Sequence, residues 1–411
     1  MIRGGTPLYG EVPITGFKNA ALPILFATIL TKDCSVIENL PRIRDVSHTL
    51  QILSAMGAKV TFCDPHTVMV DTSALRPESA PPSLAAAFRA SSYLLGAELG
   101  RFGRSRVALP GGCRIGARPL DLHILALTAL GADVTVAEGG LRAQAERLNG
   151  AEIVFPTPSV GATVNAILAS VLADGVTRIR GAAREPHIVD LATYLNKAGA
   201  DISRAGESEI TVRGVPRLHG TRHRLMPDMI EAGTFLTFLG AAGGELTLRG
   251  ADPAVLSSLI LPLREAGLTV ACEGSDIHAV QRGRPHPIRV TAAPYPAFPT
   301  DMHPQLAALL LLADGESVIG DTVFPDRFAY TEELCKMGGD LTVEGGEVRI
   351  RPARLRGATV RARDLRAGAA LAVAGLAAEG VTEIRDAAFL ERGYEDLPQK
   401  MRAIGAKVKE M

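Results

Sequence analysis

QILSAMGAKVTFCD, residues 51–64, holds the local pattern that decides how this chain folds. A helical stretch ends in an apolar residue, a glycine and a small residue, and a short β-prone run follows. Glycine ends a helix with positive φ at no steric cost, and the β-branched residues after it favour a strand. The pattern recurs as LGADV around Gly131, AGADI around Gly199, AGLTV around Gly267, MGGDL around Gly338 and IGAKV around Gly405. Counted from Gly57, successive glycines stand 74, 68, 68, 71 and 67 residues apart. Six such evenly spaced copies mark internal repetition rather than a generic helix–strand pattern.

A second landmark lies upstream of each glycine: an apolar helix, a turn and a strand, as in FATILTKDCSVIENL (26–40) and LAVAGLAAEGVTEIRDA (371–387). Between the landmarks run amphipathic segments such as DVSHTLQILSAMG (45–57) and IVDLATYLNKAG (188–199), with apolar residues at helical spacing. Each unit therefore predicts helix–strand–helix–strand–strand over about 70 residues, longer than an ordinary solenoid repeat, and two domains of three units fit better than an open array.

Composition excludes several classes. Among 411 residues, 44 Lys+Arg balance 44 Asp+Glu, and 47% are hydrophobic. A sizeable core is available, and no overall field draws the chain to nucleic acid or to an acidic surface. With no Trp and 4% aromatics, few stacking platforms exist for single strands. The longest apolar runs, LAALLLLA (306–313) and GAALAVAGLAA (368–378), are too short to span a bilayer. Five cysteines, at 34, 63, 113, 272 and 335, show no C-x-x-C pair, and the nine histidines no H-E-x-x-H. Neither a disulfide framework nor a metal site is signalled, and no Gly-rich nucleotide motif is present. The expectation is a soluble protein of a reducing compartment. The basic residues are skewed, eight Lys against 36 Arg, towards the planar fork that suits phosphates and carboxylates.

Chemistry should reside where the sequence departs from the repeat. Lys18 and Asn19 open the first apolar helix in GFKNAALP (16–23). An ammonium beside free helix N–H groups favours an anion; the alternative is a solvated Lys with an Asn cap. PGGCRIGARPLDLH (110–123) sets Cys113 in a glycine loop closely followed by Arg114 and Arg118, where positive charge lowers a thiol pKa towards working range. Cys34, Cys63, Cys272 and Cys335 read instead as small core hydrophobes. Asp301, in AFPTDMHPQ (297–305), suits either an N-cap or a carboxylate base. Arg327 in FPDRF, Arg366 in DLRAG and Arg392 in ERGYE are either surface ion pairs or a converging clamp for phosphate and carboxylate. The amides of SVGAT (159–163) could hold a diphosphate.

Taken together, GFKNAALPILFATIL, FRASSYLLG, LPGGCRIGARPLDLHI, SVGAT, AAREPHIVD, MPDMIEAGTF, PAFPTDM, DLRAGAALAVAGL and ERGYEDL closely resemble the UDP-N-acetylglucosamine 1-carboxyvinyltransferase family of enolpyruvyl transferases. The resemblance runs the length of the chain. It implies a two-domain inside-out α/β barrel built from the six units, split as 18–226 against 1–17 plus 227–411. It implies transfer of the enolpyruvyl group of phosphoenolpyruvate to the 3′-hydroxyl of UDP-N-acetylglucosamine, with release of phosphate, in the cytoplasm. Cys113 then corresponds to a mobile-loop thiol that protonates the methylene carbon, can form an adduct with phosphoenolpyruvate and is alkylated by fosfomycin. Asp301 corresponds to the carboxylate that accepts the sugar hydroxyl proton. Lys18, Arg118 and Arg392 correspond to phosphate-holding positions, Arg327 and Arg366 to positions around the carboxylate. Asn19, Arg89, the run Arg118, Pro119, Leu120, Asp121 and Leu122, the run Thr157, Pro158, Ser159 and Val160, and Val323 correspond to positions lining the UDP-sugar. No cofactor, metal, nucleic acid or membrane insertion is implied.

Phe17, Arg114, Thr157, His187 and Pro325 depart from the family's usual residues. The nearest alternative, the shikimate-pathway enolpyruvyl transferases, has a Ser-Lys-Ser type segment where this chain has FKNA (17–20), and lacks the cysteine loop. A non-catalytic UDP-sugar binder and an α/β-repeat scaffold are the remaining alternatives. Lys18, Cys113, Asp301, Arg366 and Arg392 argue against the first, and the second predicts no phosphoenolpyruvate binding at all.

Overall fold

All six glycines of the repeat carry positive φ in the computed structural model, between 92° at Gly338 and 102° at Gly57. The structure describes residues 1–76, 80–86, 88–108, 119–137 and 140–410. At each glycine the helix closes in the same way. The Gly57 amide donates to the Ser54 carbonyl (3.0 Å) and the Ala58 amide to the Leu53 carbonyl (2.9 Å), and the same pair of bonds forms at Gly131, Gly199, Gly267, Gly338 and Gly405. This double bond satisfies carbonyls that a helix end leaves open, and only a positive-φ residue permits it. The carbonyl before each glycine also receives a bond from beyond the following hairpin: Met56 from Arg76, Leu130 from Asn149, Ala198 from His219, Ala266 from His286 and Met337 from Arg356. In the sixth copy Ile404 is bonded by Tyr9 (3.0 Å), near the other end of the chain.

Among the described residues the chain divides into two compact units, one within 16–108 and 119–226 and the other of 1–15 with 227–410. Each holds three repeats; five follow the predicted helix–strand–helix–strand–strand order, and the sixth has a single strand, Lys407–Val408, after its second helix. In a typical sheet the strand after the first helix is central. Ser317–Asp321, for example, pairs parallel with Arg289–Ala292 and antiparallel with Glu347–Arg351, leaving Asp340–Glu344 at the edge. Distant strands complete three of the sheets. Arg222–Arg224 joins Cys34–Glu38 in parallel, Leu8–Pro13 joins Gly244–Arg249 in parallel, and Ile2–Arg3 takes the antiparallel place beside Val381–Arg385. In the second repeat, the sheet formed by Arg104–Val107, Asp133–Ala137 and Gly140–Gln144 has three strands among the described residues.

The first helix of each repeat is apolar almost all round, and such a helix must be enclosed. In Met229–Ala242 every residue from Met229 to Gly240 is buried; so are all eight of His303–Leu310 and residues 365–376 of Leu365–Ala377. These three pack on one another inside their unit. In the other unit Leu94–Phe102 packs against both Lys18–Ala27 and Val160–Ser170. The sheets lie outside, alternating buried and exposed residues as in Val176–Arg180 and Glu347–Arg351. Each unit is thus an inside-out α/β arrangement. Among the described residues no helix is long and apolar enough to cross a membrane.

The placement of the four accessory cysteines corrects the sequence reading. Cys63, Cys272 and Cys335 are exposed and Cys34 is half-buried. Cys63 lies in Lys59–Asp64 and Cys272 in Thr269–Glu273, the edge strands of their sheets. An edge strand has a neighbour on one side only and keeps much of its surface in solvent. Position in the sheet, not residue type, set their exposure.

Candidate active site

Very few charges sit on the six inner helices: Lys18, Glu98, Arg101, Glu231 and Arg366. Buried charge persists only when paired. Lys18 and Arg366 occupy the first turns of their helices, which is where sequence reasoning placed its candidates.

In the 227–411 unit the candidate carboxylate and two candidate arginines meet. Asp301 lies in the short turn Thr300–Met302, ahead of the helix His303–Leu310. It is therefore not that helix's N-cap, and its carboxylate is used elsewhere. Arg327 Nη1 donates to Oδ1 at 2.9 Å; Arg366 donates to Oδ2 from Nε at 3.2 Å and from Nη2 at 3.0 Å. The arginines are 5% and 3% exposed, while the Asp301 side chain keeps 27%. Neither arginine is the surface ion pair that an isolated Arg suggests. Burial acts to raise the Asp301 pKa, but the guanidiniums of Arg366 and Arg327 outweigh it and hold the carboxyl well below the usual range. Burial would likewise discharge Arg366, and Asp301, Tyr394 and Asp228 reverse that effect.

Sequence reasoning passed over the groups that fix these arginines. Arg366 Nη1 donates to the Tyr394 hydroxyl at 3.1 Å, which lies 2.8 Å from Thr234 Oγ1. Asp364 caps the arginine's helix by accepting from the amides of Arg366 (2.8 Å) and Ala367 (3.0 Å). Arg327 Nη1 also donates to Thr300 Oγ1 (3.1 Å), whose hydroxyl donates to Asp321 Oδ2 (2.5 Å). His303 Nδ1 stands 3.3 Å from the same oxygen, and His303 Nε2 lies 2.8 Å from the Tyr330 hydroxyl. Burial lowers the His303 pKa against the pull of Asp321. The neutral ring thus donates through Nδ1 and accepts from Tyr330 through Nε2. Asp228, which caps Met229–Ala242, is pushed up to about 6 by burial despite Arg366. Tyr394, Asp228 and His303 fall within ERGYE, MPDMIEAGTF and AFPTDMHPQ; Asp321 and Tyr330 had no comparable signal. Arg392 ends the turn Ala387–Arg392. The next residue, Gly393, passes so close to the Leu365 side chain that a Cβ there would lie 2.5 Å from it. Val323 donates its amide to Asp321 Oδ1 at 2.8 Å.

In the 16–226 unit Lys18 is the first residue of Lys18–Ala27, and its Nζ lies 2.8 Å from Asp45 Oδ2. Phe17 is the N-cap and provides no side-chain cap, so Asn19 belongs to the first turn and is not the cap. The ring of Phe17 meets that of His187 edge-on at 5.4 Å, which brings two of the departing residues into contact beside Lys18. Arg89 Nη2 donates to the Pro119 carbonyl at 3.3 Å, joining two candidate positions 30 residues apart. Leu120 precedes the helix Asp121–Ala129, whose first residues are Asp121 and Leu122. Thr157 and Pro158 are exposed, and Ser159 caps Val160–Ser170 by accepting from Ala162 N at 3.3 Å. That helix approaches His123 so closely that a Cβ on Gly161 would come within 2.9 Å of the ring. His123 Nδ1 in turn lies 2.7 Å from Asn165 Nδ2. Cys113, Arg114 and Arg118 lie outside the described residues.

In the 227–411 unit, two buried cations around one partly exposed carboxylate suit chemistry on dense anionic charge. The signature of EPSP synthase (3-phosphoshikimate 1-carboxyvinyltransferase) matches residues 2–401. The chain is 45% identical over 410 residues to UDP-N-acetylglucosamine 1-carboxyvinyltransferase 3 of Caldanaerobacter subterraneus subsp. tengcongensis, covering 99% of this chain and 98% of the relative. It is 44% identical over 413 residues to UDP-N-acetylglucosamine 1-carboxyvinyltransferase of Nitratidesulfovibrio vulgaris, covering 100% and 99%. Among solved structures, the enolpyruvyl transferase NikO of Streptomyces tendae superimposes with a TM-score of 0.89 at 28% identity, covering 99% of this chain and 97% of that one. An EPSP synthase of Acinetobacter baumannii shares the fold, with a TM-score of 0.73 at 20% identity over 100% and 99% of the chains. Identity near 45% across both units, together with the shared fold, places the chain in the enolpyruvyl transferase family, among the UDP-N-acetylglucosamine 1-carboxyvinyltransferases.

Proposed function

We propose that the protein transfers the enolpyruvyl group of phosphoenolpyruvate to the 3′-hydroxyl of UDP-N-acetylglucosamine and releases phosphate, the first committed step of peptidoglycan synthesis. The observation that carries this reading is full-length identity of 44–45% to relatives bearing that name. In the proposed reaction the sugar oxygen attacks C2 of phosphoenolpyruvate while Cys113 delivers a proton to C3, and Asp301 takes the hydroxyl proton. The resulting tetrahedral ketal then loses a proton from C3 as the C2–O bond to phosphate breaks. Lys18, Arg118 and Arg392 neutralise the phosphate, and Arg327 and Arg366 hold the carboxylate through charge-assisted bonds. The UDP-sugar is lined by Asn19, Arg89, residues 118–122, residues 157–160 and Val323. The burial of Arg327 and Arg366 supports their role, because a guanidinium already desolvated and oriented needs no reorganisation at the moment of reaction. The reading places the protein in the cytoplasm, with two small-molecule substrates and no cofactor, and its test is direct. Purified protein should release phosphate only when both substrates are present; no phosphate above background with both would refute the reaction.

A further inference from the structure

A carboxylate clamped by two guanidiniums is a poor acceptor for a hydroxyl proton, and that is the state of Asp301 in this structure. Three charge-assisted bonds, from Arg327 Nη1, Arg366 Nε and Arg366 Nη2, engage both of its oxygens. A general base needs real proton affinity at working pH. The cations are the fixed partners. Arg366 is anchored by Tyr394 and Arg327 by Thr300, and both are nearly inaccessible, whereas Asp301 is the member that faces solvent. Arg327 Nε is buried with no hydrogen-bond partner among the described residues, so this pair of cations holds donor capacity that Asp301 does not use.

We propose that Asp301 is a resident stand-in for the carboxylate of the second substrate. It fills the Arg327–Arg366 fork while the protein is empty, and the incoming carboxylate takes the fork over, leaving Asp301 to serve the sugar hydroxyl. This rests on the proposed reaction for the identity of the anion, and it adds a competition within the protein that the reaction does not require. No bond is made or broken in the exchange: one carboxylate replaces another on the same donors, and no proton moves until the base is released. The base is therefore switched on by the substrate it must act alongside.

Removing the stand-in should tighten binding of the anion even though turnover is lost. The test compares phosphoenolpyruvate binding by calorimetry, without sugar nucleotide, in Asp301→Asn and Asp301→Ala. All proteins carry Cys113→Ser, so that no thiol adduct forms. If the stand-in holds the fork more than nine-tenths of the time, both variants should bind phosphoenolpyruvate at least about tenfold more tightly than the Asp301 parent. Inorganic phosphate, which has no carboxylate, should change by less than about threefold across the set. Urea midpoints confirm that each variant is folded, and Asn keeps the volume of Asp should Ala perturb the turn. Unchanged or weaker phosphoenolpyruvate binding in both variants overturns the inference, as does equal tightening of phosphate, which would reflect a general field and not exchange in the fork. Failure of the reaction itself has a different signature, the absence of phosphate release by the unmodified protein with both substrates. The binding comparison holds in either case.

Discussion

Replacing Arg366 by Lys keeps the charge and removes the fork. In the folded protein the guanidinium makes three bonds, two to Asp301 Oδ2 and one to the Tyr394 hydroxyl, at 3.0–3.2 Å and 3% exposure. A lysine ammonium is a point donor on a flexible stem and can hold the carboxylate or the phenol in good geometry, not both. Two charge-assisted bonds are then lost, each of about 1.5–3 kcal/mol. Tyr394 is not orphaned, because Thr234 and Gln305 still reach its hydroxyl at 2.8 and 3.3 Å. The retained ammonium still attracts Asp301, so the net destabilisation should fall below the roughly 3–6 kcal/mol sum, at about 2–3 kcal/mol. If the same fork grips the substrate carboxylate, kcat/KM for phosphoenolpyruvate should drop by a similar free energy, roughly 30- to 150-fold. The KM for UDP-N-acetylglucosamine should stay within about threefold. Urea unfolding followed by hydrogen exchange over residues 365–377, with steady-state phosphate release at varied substrate, measures both terms. A variant as stable as its parent, with kcat/KM for phosphoenolpyruvate within about threefold, would refute the reasoning that two donors of one rigid plane are needed at this site.

Glu98, 2% exposed beside Ser105, has its carboxyl pushed up from 4.5 to about 7, chiefly by burial and against bonds from Ser105 and the Arg106 amide. The folded state therefore binds this proton more tightly than the unfolded chain. Stability falls as pH rises from about 4.5 to about 7, by on the order of 3 kcal/mol, and is level above that. Glu98→Gln should match the parent near pH 4.5 and exceed it at pH 8 by that order; a difference independent of pH in urea unfolding would rule this out. Gly161→Ala places a methyl 2.9 Å from a His123 ring that is tethered to Asn165, so overpacking should cost about 1–3 kcal/mol. The KM for the sugar nucleotide should rise, and an unchanged KM with unchanged stability would count against a tight approach there. Cys113→Asp should retain turnover and escape fosfomycin, since a carboxylic acid donates a proton but resists epoxide alkylation; undiminished inactivation would show that another residue is the target.

The repeat was legible because its signals are local. A glycine that must adopt positive φ, an apolar helix before it and β-branched residues after it depend on neighbours within a few positions, and all six glycines carry that φ. The cysteine loop and the FPTDM, DLRAG and ERGYE segments were likewise legible as departures from the repeat, and they carry most of the proposed roles. What the sequence could not decide is pairing across distance. Asp301 and Arg366 are 65 residues apart in the chain, and only the packing of His303–Leu310 against Leu365–Ala377 brings their first turns together. The same packing turned arginines that read as possible surface ion pairs into buried cations held by Tyr394 and Thr300. Edge position, decided by which strand pairs with which, exposed Cys63 and Cys272. The closing strands Ile2–Arg3 and Leu8–Pro13 find partners 236 or more residues away, because unpaired backbone groups at an open sheet edge are satisfied by whatever strand the fold delivers there. Local conformational preference thus wrote the units into the sequence, whereas burial and hydrogen-bond satisfaction, which are properties of the assembled fold, decided which side chains became a site.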